Sequence, residues 1–176
     1  MRSGRLQPAR SGGLKPAPTK TFENQAVPKL LVLSSLLWPL LLGATIVERQ
    51  NGQRPLWTVA VYAAASRICH QRPDRSFFAG TVQWPVCARC SGLYLSAPIG
   101  ALLGLGWRRR SGAGDRARLI VAIASVPTVA TLVLEWLQLA VPSNTVRAVS
   151  AVPLGIAIAF VLVRAAAGIA KSDRVD

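Results

Sequence analysis

Apolar residues in this chain come in long blocks, and most of the charge is collected in the short stretches between them. Leu30 to Val47, "LLVLSSLLWPLLLGATIV", contains no charged residue over its eighteen positions. At the helical rise this is about 27 Å, enough to span a hydrocarbon core. Pro39 marks a kink that a membrane helix tolerates. Leu119 to Val141 is a second such block, about 34 Å long by the same rise. Ala148 to Val163, with flanks reaching Ile169, is another. Val86 to Trp107 supplies one more if its helix begins near its cysteines. Within it Gly92, Ser96, Ala97, Gly100, Ala101 and Gly104 recur at intervals of three and four, a face that lets a second helix approach closely. Leu56 to Ser66 is apolar for only eleven residues, which suits an interfacial or partly inserted helix better than a crossing.

The pattern predicts an all-α protein, a polytopic membrane helix bundle of about four spans plus one short interfacial or partly inserted helix. Residues 1–28, rich in Gly, Pro, Ser, Lys and Arg, are expected to be a disordered basic tail. Residues 29–170 are expected to form the membrane domain, and 171–176 a short polar C-terminal tail. The long tail before the first block, without a clear small-x-small cleavage site, makes that block read as a retained anchor.

Charge then orients the bundle. A net charge of +14 sits beside 51% apolar residues, and mean hydropathy is +0.36. With the N-terminus inside, the inner segments hold six Lys/Arg before the first span, five from Arg108 to Arg118 and three from Arg164 onward. The outer segments hold seven: Arg49, Arg54, Arg67, Arg72, Arg75, Arg89 and Arg147. The positive-inside rule favours this arrangement, with a cytoplasmic N-terminus. Nucleic acid is not an expected partner, because the basic residues follow no recognition helix or aromatic-interleaved surface. The lipid bilayer is the expected one; a membrane protein or a second copy of the chain is a further candidate.

All three cysteines and the only histidine fall between Ile68 and Tyr94, which this topology puts at the outer face. Cys87-Ala88-Arg89-Cys90 is a C-x-x-C turn at a helix start, where the helix N-terminus favours thiolates. Cys69 and His70 would complete a Cys₃His set suited to zinc, or to another transition metal such as copper(I) or iron. A Cys87–Cys90 disulfide or redox pair, and simple packed thiols, are the other readings; an oxidising outer face favours the first of these. Arg67, Arg72, Arg75 and Arg89 surround the cluster, as solvated neighbours or as groups that neutralise thiolates or hold an anion. Glu135 is an ionisable residue inside a span and hence a candidate site by default: a ligand, a catalytic proton acceptor, or the buried partner of Arg147 or Arg75. Gln138, three residues on, is expected on the same helix face. Asn144 and Arg147 lie in the connection at the same level. Tyr94, one turn beyond Cys90, reads as an anchor that can reach the site.

"CHQRPDRSF", "PVCARCSGLYL", "EWLQ" and "SNTVR" together resemble the uncharacterised prokaryotic membrane-protein family known as domain of unknown function 2085, from about Tyr62 to Gly155. The family pattern falls on Cys69, His70, Pro73, Arg75, Ser76, Phe77, Pro85, Cys87, Arg89, Cys90, Gly92, Tyr94, Gln138, Asn144, Arg147 and Gly155. Two positions depart from it. Glu135 stands where the family usually has Asp, and Ser150-Ala151 where it usually has Thr-Gly. The resemblance implies an integral membrane protein and brings no substrate or cofactor.

Two functional expectations follow. One is a metal-binding membrane protein whose outer-face Cys/His cluster has a structural, metal-handling or redox-accessory role, with Arg75, Arg89, Tyr94, Gln138, Asn144 and Arg147 in support. The other is a membrane enzyme, either a thiol–disulfide oxidoreductase or a metal-assisted hydrolase, using the same cluster with Glu135.

Overall fold

A computed structural model describes residues 26–106 and 113–172. The expected tail up to residue 25, Trp107 and the Arg108–Arg110 run lie outside the described residues, as do the last four positions of the C-terminal tail. Five α-helices and one hairpin make up the described chain: α1 (Ala26–Gln50), α2 (Leu56–Ile68), a short 3₁₀ turn (Pro73–Arg75), β1 (Ser76–Ala79), β2 (Val82–Cys87), α3 (Ala88–Gly106), α4 (Ala113–Trp136) and α5 (Asn144–Ser172). The architecture is the predicted helical membrane bundle, with a minor sheet.

Among the described residues, three helices are long and apolar enough to cross a membrane: Ala26–Gln50, Ala117–Trp136 and Asn144–Ala167. Four spans were expected, and the difference is α3. Its 19 residues would reach about 28 Å, but Arg89, Pro98 and a run of small residues lower its mean hydropathy below that of the three. α2 stays short, as its composition predicts.

What α3 lacks in apolar bulk it recovers in close packing. A Cβ on Gly92 would run into the carbonyl oxygen of Ala148, and one on Gly100 into that of Ile156. A Cβ on Gly104 would come within 2.9 Å of the Phe160 carbonyl. The partners advance together in number, so α3 and α5 run parallel with their backbones nearly touching. This is the small-residue face expected from the spacing, and close packing of this kind substitutes for the hydrophobic effect in lipid.

α1 covers this pair from the other side. Val32 meets Ala101 and Val163 deep in the bundle, while Leu42 meets Val61, Ala65, Cys69 and Val86 at the opposite end. α1 is therefore antiparallel to α3. α4 packs on α5, where Thr128 Oγ1 donates to the Ser150 carbonyl at 2.8 Å. Polar links of this kind hold helices together without a hydrophobic driving force. The outward faces stay apolar, with Leu30, Leu40, Leu119, Ile123 and Val126 all exposed, as a lipid-facing surface requires.

The hairpin was not anticipated. β1 and β2 pair antiparallel, Ala79 opposite Val82, across a Gly80-Thr81 turn with Gly80 at φ 62°. Glycine at the first turn position suits the tight two-residue hairpin turn. Phe77 and Trp84 pack with their rings tilted by 59°, 5.3 Å between centroids. The aromatic, β-branched run "SFFAGTVQW" carried that signal, but it is too short to stand out beside the spans.

Candidate functional site: sulfurs and arginines at one end of the bundle

Chain direction collects the polar residues. The C-terminal ends of α1 and α4 and the N-terminal ends of α3 and α5 share one end of the bundle, which the hairpin and the 3₁₀ turn cap. Two clusters lie side by side there.

The first is sulfur. Cys69 ends α2, Cys87 ends β2, and Cys90 sits in the first turn of α3. Their three sulfurs lie within 4.8 Å of one another, and all three cysteines are free. The backbone N–H of Cys87 donates to Cys69 Sγ at 3.1 Å, the kind of contact that steadies a thiolate ligand. The neighbouring Cys90 thiol, hydrogen-bonding to the Cys87 sulfur, outweighs burial and brings Cys87 down to about 5. The N–H groups of Arg89 and Cys90 at the start of α3 help in the same direction. Tyr94 and Trp38 pack against the cluster, their rings edge to face at 6.2 Å.

Local stitching positions these sulfurs. Gln71 takes a positive φ of 48°, turning the chain sharply just after His70. Its Nε2 donates to the carbonyls of Tyr62 at 3.0 Å and Pro85 at 2.7 Å. Gln83 Nε2 returns a bond to the Gln71 carbonyl at 2.6 Å. The segment before the hairpin is thereby tied to β2, which brings Cys69 to Cys87. Neither glutamine had been singled out in the sequence, since amides that bond mainly to backbone have no spacing signature.

The second cluster is ionic. Glu135, in the last turn of α4, receives Arg89 Nη2 at 2.7 Å, Arg147 Nη2 at 2.9 Å and Arg75 Nη2 at 3.0 Å. One carboxylate thus gathers three guanidiniums from the 3₁₀ turn, α3 and α5. Arg147 Nη1 also donates to Asn144 Oδ1 at 2.9 Å and to the Asp74 carbonyl at 3.4 Å. Asn144 Nδ2 in turn donates to the Ser76 carbonyl at 2.9 Å, fastening the cap to the bundle. Of the roles considered for Glu135, the ion pair has geometric support: both oxygens are taken by guanidiniums. It stands outside the sulfur group.

Between the clusters opens a cavity of about 340 Å³, lined by Cys69, Cys87 and Cys90 together with His70 and four arginines. His70 is exposed and lines this cavity, but it is not one of the residues whose ligand atoms lie within 4.8 Å of each other. Gln138 departs from its expected place. α4 ends at Trp136, so Gln138 is in the following turn with a positive φ of 56°, not on the Glu135 helix face. It is exposed and borders a second cavity beside Arg75 and Glu135. The helix stops there because Leu139 and Ala140 both turn back to the Leu134 carbonyl, and Pro142 follows.

Residues 69–161 match the family described as "Predicted membrane protein (DUF2085)", a stretch holding every residue of both clusters. An uncharacterized protein of Methanocaldococcus jannaschii is 44% identical over 46 residues, covering 26% of this chain and 30% of that protein. An uncharacterized protein of Methanothermobacter thermautotrophicus is 50% identical over 30 residues, covering 17% of this chain and 27% of its own. The chain thus spans less than a third of either relative. No solved structure matches.

Proposed function

Since the chain belongs to the DUF2085 family of membrane proteins, we propose that it is a metal-binding membrane protein, its ion held by Cys69, Cys87 and Cys90. The observation that carries this reading is the convergence of three free sulfurs from three elements within 4.8 Å. Three thiolates suit a soft or borderline ion, zinc or copper(I), and leave the fourth position of a zinc site open. His70, on the wall of the same cavity, is the protein group available to close it after a side-chain movement. With His70 bound, the role is structural. With the position open to solutes, it is metal handling.

The cluster is read at the outer face, with the N-terminus cytoplasmic, because fourteen Lys/Arg then lie inside against seven outside. Antiparallel α1 and α3 fit that arrangement, and so does a fourth crossing made by α3 under cover of α5.

Elemental analysis of the purified protein tests the proposal. About one metal ion per chain is expected, lost in a Cys87→Ser/Cys90→Ser variant that still folds. Metal-free wild-type protein with a Cys87–Cys90 disulfide would sink it and favour the thiol–disulfide oxidoreductase reading, since those two sulfurs are already neighbours.

A further inference from the structure

The end of the bundle that carries the sulfurs also carries more positive charge than its carboxylates neutralise. Arg72, Arg75, Arg89 and Arg147 all line the cavity of about 340 Å³. Two carboxylates answer them: Asp74, paired with Arg72 and Arg75, and Glu135, shared by Arg75, Arg89 and Arg147. Four guanidiniums against two carboxylates leave two positive charges.

Hydrogen bonding tells the same story. A guanidinium offers five N–H donors. Among the described residues Arg89 uses one nitrogen, Nη2 on Glu135, and its side chain is only 15% exposed. Arg147 is 4% exposed, and its Nε has no partner. Arg75 Nε is 3.6 Å from Asp74, beyond hydrogen-bond reach, and is also without a partner. The Nε atoms are closed off, but all three arginines line the cavity and Arg89 Nη1 bonds to nothing among the described residues, so an acceptor arriving in the cavity has a guanidinium donor to meet.

We propose that this cavity binds a phosphate oxyanion, gripped by Arg89 and Arg147 with Arg72 and Arg75 at its mouth. Glu135 is the built-in counter-anion that keeps three guanidiniums gathered when the ligand is absent. Planar guanidinium forks match phosphate oxygens two at a time, and a tetrahedral anion accepts from several arginines at different angles. Two sources carry this chemistry: free inorganic phosphate, and the phosphodiester of an anionic phospholipid headgroup at the membrane surface. The site does not depend on the metal reading, because the arginines and Glu135 hold one another without the sulfurs.

The test uses the full-length protein, purified in detergent and depleted of lipid. Titration with inorganic phosphate, read by calorimetry, is expected to saturate. Arg89→Gln should weaken binding by roughly tenfold or more, the scale of one charge-assisted hydrogen bond. Arg89→Lys, which keeps the charge and loses the fork, should fall between them. Arg54→Gln, in the exposed turn before α2, should bind as wild type does. For the lipid source, gently purified protein is weighed by native mass spectrometry. One anionic phospholipid retained by wild type, absent from Arg89→Gln and displaced by phosphate assigns the site to headgroups; saturation by phosphate without retained lipid assigns it to the free ion. Wild-type protein that neither binds phosphate up to about 10 mM nor retains phospholipid overturns the proposal. Equal binding by wild type and Arg89→Gln overturns it as well. Cys87→Ser/Cys90→Ser separates this site from the metal: phosphate affinity should stay within about threefold while metal is lost, and loss of both would show an anion riding on the ion.

Discussion

The sulfur cluster and the Glu135 cluster sit at the same end of the bundle, yet they are built in opposite ways. The sulfurs are gathered by nearby chain: Cys87 and Cys90 flank one turn, and Cys69 is joined to them through a hairpin stitched by Gln71 and Gln83. The carboxylate is gathered by distant chain, with Arg89 arriving from 46 residues before it and Arg147 from 12 after. In one cluster three sulfurs face each other within 4.8 Å. In the other, charge is already met by charge. A group of neighbouring thiols invites a cation, whereas both oxygens of the carboxylate are already taken by three arginines. The contrast favours sulfur as the chemical half of this end and the ion cluster as the half that ties α3, α4 and α5 together.

The strongest way to break that division is Glu135→Ala. It leaves Arg89 and Arg147 mutually repelling in a mostly buried place, and removing one partner of a buried ion pair costs about 3–5 kcal/mol. A loss of at least about 3 kcal/mol is expected in denaturant unfolding of the detergent-solubilised protein. Glu135→Asp should cost much less, because the charge stays and only one methylene is lost. If Ala cost no more than Asp, the arginines would have some other counterion.

A smaller effect is expected from Arg147→Lys. The ammonium keeps its attraction to Glu135, but it cannot also reach both Asn144 Oδ1 and the Asp74 carbonyl, which Arg147 Nη1 bonds at 2.9 and 3.4 Å. Losing that fork should lower stability by about 1–2 kcal/mol. Hydrogen exchange should rise first at Ser76 and its neighbours, where Asn144 holds the cap. Unchanged exchange there would mean the cap is secured by the hairpin alone.

How far each region could be read beforehand follows the same contrast. The helical blocks and the α3 small-residue face were legible because spacing along one helix is local information, and Gly92 and Gly100 do meet α5 backbone. The C-x-x-C turn with Cys69 was legible for the same reason. Glu135 was recognised as costly in a span, with Arg75 or Arg147 as a candidate partner, but Arg89 was read only as a neighbour of the cysteines, solvated or facing thiolates or an anion. Nothing local says that a residue between two cysteines turns its guanidinium toward another helix. Gln138 was placed one turn too far along a helix, because apolar Leu137, Leu139 and Ala140 prolong the hydrophobic pattern past the point where the backbone stops. The hairpin was lost between two strong helical signals.

On the sulfur side, Cys69→Ser should leave apo stability within about 1 kcal/mol of wild type, since a thiol and a hydroxyl differ little in size and the Cys87 N–H keeps an acceptor. Metal retention should fall sharply, because two thiolates remain of three. Equilibrium dialysis against a chelator reads the second effect and thermal unfolding without metal reads the first. A large apo loss together with unchanged metal content would make Cys69 a packing residue, in keeping with its 5% exposure, and would return the ligand role to His70.

The smallest expected effect is a change in shape rather than in size: the pH profile of Cys87 alkylation in metal-free protein. With its pKa lowered to about 5, Cys87 is thiolate from neutral pH down to that value. An ordinary cysteine, near 8.5, loses its thiolate about tenfold per unit over the same range. Iodoacetamide should therefore modify Cys87 at a rate that is flat from about pH 8 to 6 and halves near 5. The absolute rate at pH 7 is a poor guide, because nucleophilicity falls with pKa along a slope of about 0.45 and cancels much of the gain in thiolate. The sign of the linkage follows. A pKa lower in the folded than in the unfolded chain adds stability above the unfolded value, and that stability drains away as pH falls through about 5. Cys90→Ser offers the sharpest comparison. A hydroxyl can still donate to the Cys87 sulfur, so the profile should stay flat, whereas Cys90→Ala removes the donor and should move the midpoint toward the ordinary thiol value. A profile that ignored both changes would locate the thiolate's stabilisation in the first turn of α3 alone, and Cys87 would then be a helix-terminal thiol with no claim to act in concert with its neighbours.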